Sequence, residues 1–390
     1  MKHLSRWIMA LAALVTLTGA LRPAALYDWH LPAWMPPPPP TPDNPMSTAK
    51  VELGRYLFYD ARLSADDTIA CASCHLQSHG FADARAKGVG VGGEVGTRNV
   101  PGLANVAYFP VLTWGNPLLK HLEHQALIPI FGISPPEMAM EGREEAMIAR
   151  LSADPAYLPL FGRAFPDSRG EVTLKRITQA IAAFERSLIS YNAPYDRYKY
   201  GGQTSAISDA AKRGEALFFS HDLECYHCHT GANFTDNFAS ARSRQPEVGY
   251  HNNGLYDLDG KGAYPFDAVG IKEHTGRAED MGRFRTPSLR NVAVTAPYMH
   301  DGSLPTLRDV IRHYAAGGHV TMVDGHRSDG RNSPLKDPLL GGFDITPDQE
   351  DDLVAFLESL TDRQFLTNSH FSDPWPAAHP ARKNRRNEAK

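Results

Sequence analysis

Every cysteine in this chain stands in one of two pentapeptides of the same form, Cys71-Ala-Ser-Cys74-His75 and Cys225-Tyr-His-Cys228-His229. Two thiols three positions apart on a turn can each form a thioether to one vinyl group of a haem. The histidine that follows is then held beneath the ring, where it ligates the iron. The pattern assigns two covalent c-type haems, one on Cys71, Cys74 and His75 and one on Cys225, Cys228 and His229. Two other chemistries use the same residue types: a redox disulfide within each pair, or a zinc site built from both clusters. Structural zinc wants four ligands from knuckles that meet in the fold. Here the clusters lie about 150 residues apart, each with its own histidine and no cysteine left over.

The elements that must position these motifs look like copies of one another. Glu52-Leu-Gly54-Arg-Tyr-Leu57-Phe58 precedes the first, and Lys212-Arg-Gly214-Glu-Ala-Leu217-Phe218 precedes the second. Each reads as a short helix presenting Leu-Phe inward, followed by a loop into the cysteines, so the chain reads as a duplicated cytochrome c unit. Thr173 caps a helix whose apolar positions Ile177, Ile181, Phe184 and Leu188 keep helical spacing. Thr346-Pro-Asp-Gln349 is a capping box opening a helix with Leu353, Phe356, Leu357 and Leu360 on one face. Between Thr306 and Gly317, Leu307, Val310, Ile311 and Tyr314 form one buried stripe, which leaves His313 pointing elsewhere. Period-two alternation is almost absent. The expected fold is mainly α and loop-rich, with two cytochrome c-like haem domains related by duplication.

Lys2 and Arg6 precede an apolar run from Ile8 to Leu21, which suits an export signal and is short for a membrane span. Residues 1–25 are thus expected to be a signal peptide, with a retained N-terminal anchor as the alternative. The proline run after Trp34 makes 26–44 a stiff linker. The first haem domain is expected over 45–200, the second over 201–365, and a tail over 366–390. A net charge of −4 gives no reason to expect nucleic acid, and the basic run Arg382–Arg386 reads as solvated. Covalent haem of this kind is made outside the cytoplasm, so the expected compartment is the periplasm.

The stretch Phe284-Arg-Thr-Pro-Ser-Leu-Arg-Asn291 through Thr295-Ala-Pro297-Tyr-Met-His-Asp-Gly302 resembles the bacterial di-haem cytochrome c peroxidase and MauG superfamily. The resemblance spans nearly all of residues 45–365. It is nearest the MbnH-like branch in 103–108, 112–114, 125–131, 254–264 and 273–281. It implies that the position fourteen residues after His300, which is Tyr314, is the distal ligand of the second haem. Ordinary peroxidases carry methionine there and MauG-like enzymes tyrosine. Met281, Met299 and Met322 are the competing candidates. The removable histidine of ordinary peroxidases falls at Val91, so the resemblance implies a first haem that is five-coordinate and open. It further implies Trp114 as a relay between the haems, with Gln125 and Glu137 facing the open iron and Glu137 as the acid/base. Glu141 and Glu123 are alternatives for that last role. A calcium ion is implied between the haems, held by the Asn99 side chain and the Thr295 and Pro297 carbonyls.

Taken together, the resemblance implies an enzyme that reacts with hydrogen peroxide to reach a high-valent iron state. It then oxidises a side chain, a tryptophan in the nearest branch, of an exported partner such as a copper-binding MbnP-like protein. The alternative is an ordinary peroxidase that reduces peroxide with electrons from a small cytochrome or cupredoxin. A non-enzymatic electron carrier is the third reading. One departure from MauG is Leu223, where that enzyme has a surface tryptophan; Tyr226, Tyr250, Tyr256 and Tyr264 are candidate exits for the oxidising hole instead.

Overall fold

The computed structural model describes residues 27–246 and 248–386, so the expected export signal lies outside the described residues. The chain is mainly helical, and its strands among the described residues form two short antiparallel pairs. Five helices frame the two motifs: α1 (Thr48–Phe58), α2 (Leu174–Arg186), α3 (Asp209–Phe218), α4 (Leu307–Ala315) and α5 (Pro347–Glu358). Each begins on a hydroxyl that accepts a backbone N–H three residues on, from Ser47, Thr173, Ser208, Thr306 and Thr346 in turn. Thr346 and Gln349 close the capping box reciprocally.

Helix α1 packs on α2, and α3 packs on α5. Both crossings are made at the repeated glycine. A Cβ on Gly54 would come within 1.8 Å of the Ala180 carbonyl oxygen, and one on Gly214 within 2.0 Å of the Asp352 carbonyl oxygen. Two cores result. Leu57, Phe58, Phe81 and Phe184 belong to the first, and Phe218, Phe234, Phe356 and Leu357 to the second. A smaller cluster of Trp114, Leu255, Tyr264 and Phe284 joins residues from both parts of the chain.

Two expectations about the ends need correction. The proline-rich segment is not a free spacer: Trp34 stacks on Tyr200 at 4.0 Å, Met35 is buried, and the Tyr108 hydroxyl donates to the Pro36 carbonyl at 2.9 Å. The apolar side chains beside the prolines gain more by burial than the segment gains by standing in water. The tail also packs. Trp375 is buried in the first core and its Nε1–H donates to the Tyr56 carbonyl at 2.9 Å. Within the basic run, Arg385 pairs with Asp373 at 2.8 Å and bonds the Tyr59 carbonyl. Those carboxylate and carbonyl partners lie outside the run, the carbonyl far away in sequence, so the run read in isolation looks merely solvated.

Candidate haem sites and the path between them

Cys71–Ser73 and Cys225–His227 are single helical turns, and in each the histidine that follows is steered by one backbone carbonyl. His75 Nδ1 lies 2.7 Å from the Phe81 carbonyl oxygen, and His229 Nδ1 lies 3.0 Å from that of Phe234. A carbonyl can only accept, so Nδ1 carries the proton and Nε2 keeps a lone pair for a metal. Phe81 and Phe234 both adopt left-handed backbone (φ +62° and +52°), which turns their carbonyls towards the imidazoles. None of the four cysteines is in a disulfide. Burial pushes the Cys71, Cys74 and Cys225 thiols above their usual range. No three His, Cys, Asp or Glu side chains converge as a metal cage among the described residues. The donor set fits thioether-bound haem at both motifs.

The second motif opens onto a cavity of about 530 Å³ whose wall includes Cys225, Cys228, His229 and Tyr314. Tyr314 projects from α4, and burial raises its phenol pKa. Of the rival methionines, Met322 is 63% exposed and Met281 packs against the Trp114 cluster. Met299 does line the cavity, where its sulfur accepts the Asn253 amide at 3.2 Å. His313 is a correction: expected to point away, it is buried, with Nε2 3.0 Å from the Asn253 carbonyl oxygen. The buried face of α4 is wider than its apolar stripe because a backbone acceptor waits opposite the imidazole.

At the first motif, the glycine-rich loop runs against the Glu137 segment. The Val91 N–H donates to the Glu137 carbonyl at 2.8 Å, and Gly90 approaches the Pro136 and Glu137 backbone too closely for a side chain. Glu137 retains accessible surface, yet the protein around it is dense enough for burial to raise its carboxyl pKa. Its charge is felt at both Cys71 and Cys74. Gln125 ends a short helix, and the next helix, Leu127–Phe131, accepts the Met138 and Met140 N–H groups. This draws Gln125 and Glu137 into one region. Of the alternatives, Glu141 is exposed, as Glu137 is, and Glu123 is locked to Arg186 at 2.7 Å and to Asn44. Burial opposes the Glu123 charge, but Arg186 overrides it and the carboxyl pKa is lowered.

Trp114 is buried at the seam, its Nε1–H donating to the Asn99 carbonyl at 2.8 Å and its own carbonyl accepting the Arg285 N–H at 2.8 Å. Asn99 reaches Pro297: its Nδ2 lies 3.4 Å from the Pro297 carbonyl oxygen. The Thr295 side chain packs against the Gly80 region. A cation there would need the Asn99 amide turned so that its oxygen faces inward. Leu223, where MauG has its surface tryptophan, is buried in the second core.

Sequence reading passed over a second internal repeat, Pro101-Gly-Leu-Ala-Asn105-Val-Ala and Pro287-Ser-Leu-Arg-Asn291-Val-Ala. Both asparagines sit at φ +60°. The Asn105 Oδ1 accepts the Ser190 N–H at 2.7 Å, and the Asn291 Oδ1 accepts the Asp362 N–H at 2.8 Å. Each pins the chain just beyond α2 or α5. The shared Pro-x-Leu-x-Asn-Val-Ala spacing could have revealed it.

Paired helices crossing at glycine, each feeding a Cys-x-x-Cys-His turn, define a duplicated c-type haem fold. Residues 48–205 match the profile of the di-haem cytochrome c peroxidase family. The chain is 34% identical to the methylamine utilization protein MauG of Methylophilus methylotrophus, across 81% of this chain and 84% of that protein. It is 35% identical to the cytochrome c peroxidase Ccp of Escherichia coli, across 83% of this chain and 61% of that one. A solved structure of a MauG-like protein associated with microbial copper homeostasis superposes with a TM-score of 0.87 at 45% identity, covering 90% of this chain and all of that one. The chain belongs to the di-haem cytochrome c peroxidase/MauG family. It is a haem-dependent oxidoreductase of the peroxidase type, and the family implies two haems, hydrogen peroxide, and a protein that is either substrate or electron donor.

Proposed function

We propose that this protein uses hydrogen peroxide to oxidise a side chain of an exported partner protein at a distance, in the manner of MauG-like enzymes. The observation that carries this reading is Tyr314 on the wall of the His229 cavity. A hard phenolate oxygen favours the ferric and higher states, whereas the thioether of an electron-accepting peroxidase favours ferrous iron. Val91 in place of a histidine supports a first site that needs no reductive opening. A haem held by His75 would supply the iron chemistry that cleaves the peroxide O–O bond.

The chain's own residues do the rest. Glu137, its carboxyl pKa raised by the protein packed around it, takes the peroxide proton and returns it to the departing oxygen, while the Gln125 amide orients the bound peroxide. Trp114 bridges the two sites. Asn99, with its amide turned, and the Thr295 and Pro297 carbonyls would hold a calcium ion at the seam. The partner is a copper-associated, MbnP-like exported protein carrying an oxidisable tryptophan, a reading supported by the copper link of the 45%-identical structure. Export by the N-terminal segment places both proteins in the periplasm, and no helix among the described residues is long and apolar enough to cross a membrane.

The test is the spectrum of the diferric protein with one equivalent of hydrogen peroxide and no reductant. Loss of the ferric bands with a new near-infrared band is expected. A protein that stays unchanged until it has been reduced by one electron would instead be an ordinary peroxidase.

A further inference from the structure

Oxidation at a distance needs a place where the hole leaves the protein, and a buried tryptophan cannot serve. The cluster that holds Trp114 continues outward. Phe284 stacks on His300 at 3.8 Å, Tyr264 lies 6.4 Å from Phe284 and 6.2 Å from His300, and Tyr256 lies 5.4 Å from Tyr264, centre to centre. Tyr264 is buried; Tyr256 is partly exposed.

The hydroxyl partners distinguish these two rings. A phenol oxidised without a base becomes a strongly acidic cation, so a usable tyrosine needs a proton acceptor in place. The Tyr264 hydroxyl donates to the Asn252 amide oxygen at 2.7 Å, which is a poor base. The Tyr256 hydroxyl donates to the Asp301 carboxylate at 2.5 Å. Two other tyrosines donate to carboxylates, Tyr157 to Asp60 and Tyr195 to Glu215, but both rings are buried in a core and offer no exit. Tyr226 has His221 at 3.1 Å but packs with Phe219 and His227, outside the Trp114 cluster. The Tyr256 loop also carries Phe266, 94% exposed, an apolar side chain that a docking protein would cover.

We propose that Tyr256, with Asp301 as its proton acceptor, is the exit station from which the oxidising hole at Trp114 passes to the partner protein. The assignment rests on the long-range oxidation reading. Tyr256 gives one electron to oxidised Trp114 and its phenolic proton to Asp301, leaving a neutral phenoxyl. A partner side chain then gives one electron to the phenoxyl as the proton returns from Asp301. Two passages remove two electrons from the partner, matching one hydrogen peroxide reduced, with two protons, to two waters.

The experiment treats the full-length holoprotein with hydrogen peroxide and a nitroxide-forming spin trap, without partner. It reads the trapped residue by peptide mass spectrometry and the haem absorbance in the same samples. The wild type is expected to be labelled at Tyr256. Tyr256→Phe should lose that label and prolong the peroxide-induced absorbance change, because the hole has lost its way out. Asp301→Asn should slow labelling by about a hundredfold, the scale of one positioned proton transfer, with Asp301→Glu restoring it. Normal haem absorbance before peroxide shows that each variant is folded. Labelling at Tyr226 or Tyr250 in the wild type, or a Tyr256→Phe absorbance change that decays at the wild-type rate, overturns the exit assignment. A wild type whose haem absorbance ignores peroxide overturns the long-range oxidation reading itself.

Discussion

If Tyr314 is the distal ligand proposed above, replacing it by methionine exchanges a hard phenolic oxygen for a soft sulfur in the cavity shared with His229. The second haem of Tyr314→Met should be easier to reduce by on the order of 100 mV or more, since axial ligands tune haem over a far wider span. A potentiometric titration checks this, and an unshifted potential would point to Met299 as the ligand. Glu137→Gln should slow the reaction with peroxide by about 10²–10⁴-fold, the usual contribution of a general base. The wild-type rate should itself fall as pH drops through the Glu137 pKa, because only the ionised form accepts a proton. Burial raises that pKa, so the fall comes at a higher pH than an ordinary glutamate would give; stopped-flow rates across pH measure it. The haem attachment residues were legible in the sequence because thioether formation is a local, covalent pattern. Choosing among Glu123, Glu137 and Glu141 was not local. It turns on contacts such as Arg186, far downstream in the chain, claiming Glu123.

Gly54 and Gly214 are where each pair of helices touches, and a methyl group there meets backbone rather than a movable side chain. Gly54→Ala and Gly214→Ala should each cost about 3 kcal/mol of stability, the upper range for overpacking, read as a lowered Tm by calorimetry. The first should perturb the haem held by His75 and the second that held by His229, separable by their absorption spectra. The repeated helix was visible in advance as a glycine three residues before Leu-Phe, twice; that the glycine is where a second helix crosses was not, because α2 and α5 lie far along the chain. What the sequence could not offer is the buried bond of Arg290 to Asp196, both contacts at 2.7 Å with the two side chains nearly inaccessible. Arg290→Met should lose about 3–5 kcal/mol because it strands a buried carboxylate; denaturant titration measures it. No periodicity announces a pair of charges 94 positions apart.

The two halves share more than a duplicated plan. Trp114, from the first, is held by the Arg285 N–H from the second, and the proline-rich segment before α1 accepts the Ala241 N–H at the Pro37 carbonyl. Trp375 is placed even further from its neighbours in sequence: it packs edge-on to Tyr56 and Tyr157, stacks on His379 and bonds the Tyr56 carbonyl. Trp375→Ala should remove about 3–5 kcal/mol, like other large core truncations, and should lower the Tm of the first half more than that of the second. That last indole also orders events in time. A chain emerges from the ribosome, and from any export channel, amino end first, and early domains ordinarily finish folding before later ones appear. Here the lid of the early core comes later in the chain than the whole second half. The nascent first half must therefore wait, its core still uncovered on that side, until the second half has been delivered.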